Sequence, residues 1–182
     1  MTMKPRSVFD YAARGGIPMG IMLTIVSLFF ISGVGSPGMQ TGAMLLSTGI
    51  PVILWILQRK MWNECPHYRR VSSLWLMGIY TFIFGSLICM LLSNLYILAF
   101  APNFVADYAR ESIRMMESSP EPALYAEQTE VLRRMVERRA LPTPFGITTT
   151  MAWATCFFGS LLSLLWAFLI RATKHPRDLR RA

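Results

Sequence analysis

Three stretches of the chain, residues 15–58, 71–106 and 140–170, contain no Asp, Glu, Lys or Arg. A helix of a water-soluble domain needs a polar face, and these runs offer none over lengths that would require one. A bilayer core of about 30 Å asks for roughly 20 apolar helical residues. Each run meets or exceeds that requirement. The first is long enough for two spans and carries Ser36-Pro37-Gly38 near its middle, a tripeptide suited to a tight reversal. The pattern therefore predicts four spans, at about 16–35, 40–57, 72–100 and 147–170. Pro18 is expected in the first turn of span one, where its missing N–H costs little. Pro51 falls inside span two and predicts a kink. Span three outreaches the hydrocarbon core, so it should tilt or project on the side of Pro102. Thr148-Thr149-Thr150 is expected to mark the start of span four, with a hydroxyl capping its first turn.

Residues 103–144 break this pattern. Val105, Ala109, Ile113 and Met116 recur at helical spacing with charges between them. Ser118-Ser119-Pro120-Glu121-Pro122 interrupts them, and Ser119 before Pro120 predicts a second helix start. Leu124, Gln128, Val131, Leu132 and Met135 then share one face, with Glu130 and Arg134 one turn apart as a supporting pair. The fold class expected is an all-α integral membrane protein: four transmembrane helices with an extracytoplasmic helical hairpin between the third and the fourth, all in one membrane domain of 182 residues.

The net charge of +8 raises the question of a nucleic-acid partner. The basic residues, however, gather beside the apolar runs, where they act as topology signals. Lys4, Arg6, Arg14, Arg59, Lys60, Arg69, Arg70, Arg171, Lys174, Arg177, Arg180 and Arg181 fall on one predicted side. The other side carries an uncharged turn and a segment in which six Arg meet seven acids. The positive-inside rule then places both termini in the cytoplasm. Trp55, Trp62, Tyr68, Trp75 and Trp166 fall near the inner boundary, and Tyr96, Phe100, Phe104, Phe145 and Trp153 near the outer one. The tail from Arg171 to Arg181 is expected to hold the anionic inner leaflet. A basic start, an apolar stretch and Gly33-Val34-Gly35 imitate a signal peptide, but a second span follows at once and retention is expected.

Chemistry is sparse. Three cysteines make no disulfide framework. Cys65-Pro66-His67, with His175 on the same predicted side, falls short of a closed metal site. The spans hold no ionisable centre of the kind coupled transporters keep. Their most polar residue is Asn94, beside Ser93, expected to form a cross-helix hydrogen bond or, alternatively, a ligand contact. An enzyme would have to use the loop of Cys65, His67, Arg69 and Arg70, and none is expected; no cofactor or metal is implied. Small residues recur at packing intervals: Gly16 and Gly20, Gly38 and Gly42, Gly78 and Gly85, and Thr155, Gly159 and Ser163.

The layout resembles the bacterial domain of unknown function 4199 family. The residues that carry the likeness are Arg14-Gly15-Gly16-Ile17-Pro18-Met19-Gly20, the Met- and Glu-rich segment 103–139, Leu141-Pro142-Thr143-Pro144-Phe145, and Phe157-Phe158-Gly159-Ser160 through Ile170, then Arg171 and Lys174. The outer segment and tail are richer in Arg than the family pattern. The resemblance implies a four-span bacterial inner-membrane protein and transfers no active-site residue. The function expected is a non-enzymatic accessory, regulatory or assembly subunit of a larger membrane complex, docking through Val105, Ile113, Leu124, Val131, Leu132 and Met135, or forming a homo-oligomer. The alternative is a small carrier or lipid-handling protein with a polar site near Asn94, Ser93 and Tyr96.

Overall fold

The structure, a computed structural model, describes residues 7–138 and 140–173. It is all-helical among those residues, and four of its segments are long and apolar enough to cross a membrane. Helix α1 covers Val8–Ser32. It starts well before the apolar run because Ser7 and Asp10 form a reciprocal cap: the Ser7 hydroxyl accepts from the Asp10 N–H at 3.2 Å, and the Asp10 carboxylate accepts from the Ser7 N–H at 3.0 Å. Pro18 consequently lies in the helix interior, not in its first turn.

The first reversal also differs from expectation. The turn is Gly33-Val34-Gly35, and Gly35 takes φ +77°, a left-handed conformation that glycine adopts freely. Ser36 and Pro37 do not form the turn; they open α2, Pro37–Ser47, with proline at the first helical position. Thr48 then separates α2 from α3, Gly49–Glu64. This is the kink expected from Pro51, displaced by one turn. The proline ring clashes with the carbonyl four residues earlier, that of Ser47, so the ladder opens there. The Ser47 and Thr48 hydroxyls turn back onto the Met44 and Leu45 carbonyls, both at 2.6 Å.

A short turn, Pro66–Tyr68, leads to α4, Val71–Phe100. Beyond it come α5, Phe104–Glu117, a single tight turn at Pro122–Tyr125, and α6, Ala126–Glu137. The expected second helix start at Ser119-Pro120 is thus replaced by a later one, because Pro120 and Pro122 withhold two successive N–H donors. Helix α7, Pro144–Thr173, is the last of the described elements. Its first turn is capped by Thr143, whose hydroxyl accepts from the Gly146 N–H at 3.1 Å, and not by the Thr148–Thr150 cluster. Pro144 at the first position brings the start forward.

Helix α4 is the centre of the bundle, with α1 along one side and α7 along another, while α3 wedges against all three. Three clusters of buried side chains stack along the axis. Ala12, Met61, Trp62, Leu74, Met77, Ala167 and Ile170 fill one end. Met19, Leu23, Leu54 and Phe82 occupy the middle, and Ile31, Ile97 and Phe104 the other end. The exterior is as apolar as the core. Leu95, Leu98, Phe100, Trp153 and Phe158 are all at least 65% exposed. An apolar surface of that extent suits lipid, not water.

A candidate site between the second and fourth spans

Glycines set the closest approaches. A Cβ at Gly85 would sit 3.2 Å from the Gly20 backbone nitrogen and 3.0 Å from the Met19 side chain, and Gly16 lies hard against Phe84. The pair Gly16 and Gly20 therefore faces Gly85 across the α1–α4 contact. On the other side of α4, a Cβ at Gly78 would collide with Ser163, and one at Gly159 with the Phe82 ring. Gly38, by contrast, has nothing within 4 Å, while a Cβ at Gly42 would meet the Phe29 ring of α1 at 3.4 Å, so only one member of that repeat lies at a helix contact. Gly38 sits in the first turn of α2, where the chain has only just left the reversal.

The polar side chains fall into two groups. Towards the Cys65 end, Gln58 is fully buried. Its Nε2 donates to Ser163 Oγ at 2.8 Å and lies 3.2 Å from the Leu74 and Ser163 carbonyls, while Ser163 Oγ donates to the Trp75 carbonyl at 3.2 Å. One side chain thereby ties α3 to α4 and α7. Gln58 Oε1 and Trp166 Nε1 are buried without a partner among the described residues. The sequence reading missed Gln58 because it ended span two at Leu57, beside Arg59 and Lys60. The signal was present: Leu54, Gln58 and Met61 share one helical face.

The second group lies towards the α5 end. Asn94 donates to Thr148 Oγ1 at 2.6 Å and to the Met90 carbonyl at 3.1 Å, which makes it a cross-helix bond between α4 and α7. Ser93 Oγ donates to Ser27 Oγ at 2.9 Å and lies 3.7 Å from Cys89 Sγ. The Tyr96 hydroxyl pairs with Ser32 Oγ at 2.8 Å. Beside this group runs a groove of about 610 Å³. Its floor is Ser27 of α1 with Ser86, Cys89 and Ser93 of α4. One wall is Ala43 and Ser47 of α2, and the other is Thr148, Ala152, Thr155 and Gly159 of α7. Of the three residues expected to line a cavity, Ser93 does; Asn94 and Tyr96 are engaged elsewhere and do not.

The groove has a local cause. Small side chains recur on α4 and α7 at intervals of three or four, so both helices present a shallow face in the same place. Helix α2, released at Thr48, packs on α1 and α3 but has no comparable packing on α7. The small residues read as one packing ridge on span four thus divide. Gly159 and Ser163 receive Phe82, Gly78 and Gln58, while Thr155, one turn back, lines open space.

The remaining candidates lie elsewhere. Tyr11 donates to Glu64 at 2.6 Å, and Cys65 Sγ lies 3.5 Å from the same hydroxyl. His67 and Arg70 are exposed nearby. Arg171 is exposed in the last turn of α7, while Lys174, His175, Arg177, Arg180 and Arg181 lie outside the described residues. On the charged segment, Val105 packs beside Ile31, Ile97 and Phe104, and Ile113 and Leu132 are half-buried. Leu124, Val131 and Met135 are 69%, 48% and 42% exposed. Arg133 bridges to Glu117 of α5, and Arg134 pairs with Glu130 at 2.9 Å.

These features define an all-helical bundle of multi-pass membrane type with a lateral apolar groove. The model of a family described as a protein of unknown function, DUF4199, matches residues 15–172, and the chain belongs to that family. No curated protein and no solved structure matches it.

Proposed function

We propose that this protein is a non-enzymatic, four-span protein of the bacterial inner membrane that accommodates an apolar molecule of the bilayer in the groove between α2 and α7. The observation that carries this reading is the groove itself. Its volume of about 610 Å³ lies within the range of roughly 300–1,000 Å³ usual for small-molecule sites. It opens from the side of the bundle, so its occupant would come from the lipid.

Charge supports the orientation. Twelve of the eighteen Lys and Arg flank the Cys65 end or the termini, which favours both ends in the cytoplasm and the α5–α6 segment outside. Arg171, in the last turn of α7, then faces the anionic leaflet.

A second reading, an accessory subunit of a membrane complex, is favoured by Leu124, Val131 and Met135, apolar side chains left exposed on the charged segment. One experiment separates the two. Native mass spectrometry of the protein released from membranes with its surrounding lipid should show a retained lipid on the wild-type chain and none on Ala152→Phe, which fills the groove. Equal retention by both would refute the groove reading. A stoichiometric protein partner with no groove-dependent lipid would establish the accessory role in its place.

A further inference from the structure

From the chemistry of the groove floor we infer that its occupant is a neutral single-chain amphiphile bearing a hydroxyl head, held at the Ser27 hydroxyl that Ser93 orients. The inference rests on the groove reading and goes further, to the class of molecule.

Charge is the first constraint. None of the residues that line the groove is Asp, Glu, His, Lys or Arg. An ionised carboxylate or phosphate drawn into such a lining would lose its hydration with no counter-charge to replace it. Fatty-acid anions and phospholipid headgroups are therefore poor guests at the floor. A bare hydrocarbon would fill the apolar walls but offer nothing to the Ser27 hydroxyl.

The inventory of donors and acceptors narrows the class further. Ser27 and Ser93 carry two protons and four lone pairs, and their mutual bond of 2.9 Å uses one proton and one lone pair. Cys89 Sγ, 3.7 Å from Ser93 Oγ, adds a soft acceptor and a weak donor. Ser93 is itself buried, so what the floor presents to an occupant is chiefly the Ser27 hydroxyl, with a lone pair and its own proton left over from the Ser93 bond. The complementary head is one that both donates and accepts without carrying charge. A hydroxyl does both; an ester or ketone carbonyl only accepts. The walls above, Leu23, Ala43, Met44, Met151 and Leu162 among them, suit a single unbranched or prenyl chain.

The test is photo-crosslinking of the full chain in nanodiscs with a diazirine-bearing monoacylglycerol. The adduct should map to α4 or α7 peptides around Cys89 or Ala152. Unlabelled monoacylglycerol and a long-chain alcohol should compete for it, while a fatty-acid anion and phosphatidylglycerol of equal chain length should not. Competition by both neutral lipids indicates that the hydroxyl is sufficient; competition by monoacylglycerol alone restricts the class to glycerol esters. Ser27→Ala with Ser93→Ala, checked for an unchanged elution profile, should weaken apparent affinity about fivefold, the loss expected of one net hydrogen bond. An adduct in the groove that the charged lipids displace equally, or that the double variant leaves unchanged, overturns the head-group assignment while the groove reading stands. No adduct at these peptides, or one that Ala152→Phe leaves undiminished, overturns both.

Discussion

Gly78 illustrates how far a single position constrains this bundle. Its missing Cβ makes room for Ser163, and Ser163 in turn holds the Gln58 amide. Gly78→Ala should therefore separate α4 from α7 or displace the serine, at the overpacking cost of about 1–3 kcal/mol seen in tight cores. The expected readout is a lower thermal midpoint of the detergent-solubilised protein. Ser163→Gly in the same chain should recover part of the loss by vacating the space, although it sacrifices the Gln58 bond. If the double variant were no more stable than Gly78→Ala, the collision would not be the cause. At this scale the sequence was legible where a residue type is informative alone. Glycine spacing indicated close approach, and Asn94 stood out within an uncharged run. Gln58 was illegible because its significance comes from a helix that continues past the last apolar residue, so a boundary drawn on hydropathy put it outside. Burial of a polar group depends on what the other helices bring to it, and that is a tertiary property.

The elements carry a different lesson. All four apolar segments follow from the spacing of charge, and the break in the second follows from Pro51. Their ends did not. Ser7, Thr143 and Gly35 fix where α1 and α7 begin and where the first reversal turns, and they act through one or two local hydrogen bonds or one dihedral that hydropathy cannot register. The break at Thr48 has a direct test. Pro51→Ala returns an N–H to the Ser47 carbonyl and should join α2 to α3. Amide hydrogen exchange at residues 47–51 should slow by an order of magnitude or more, a gain consistent with the ~3 kcal/mol that an interior proline costs a helix. Since the break lets α2 stand away from α7, the same variant should narrow the groove. Unchanged exchange at Thr48 would show that the neighbouring helices, not the proline, hold the break.

At the scale of the whole molecule, the two ends differ in kind. One is closed by Trp62, the Tyr11–Glu64 bond and a basic loop; the other carries α5, whose Phe104 and Val105 pack with Ile31 and Ile97, and α6 folds onto α5. The orientation proposed for them is measurable with thiols. In intact cells a membrane-impermeant maleimide should leave Cys65 unlabelled until the membrane is permeabilised. In a Cys65→Ser background, Leu124→Cys should react from outside, since residue 124 is largely exposed. The reverse pattern would invert the topology. The groove could not be read from sequence at this level, because it lies between four helices and requires the absence of a contact. Its small residues looked like any other packing ridge.

The reversal at Gly33-Val34-Gly35 has a consequence for how the chain enters the membrane. Each elementary charge carried across exchanges about 2.3 kcal/mol with every 100 mV of membrane potential. On the proposed orientation, α1 and α2 arrive as a pair whose connection carries no charge, so the potential neither drives nor resists them. The segment between α4 and α7 carries thirteen charges, but its six arginines and seven acids leave only one net negative charge to move. Neither crossing is coupled appreciably to the energised state of the membrane, and insertion of this protein should tolerate de-energised cells.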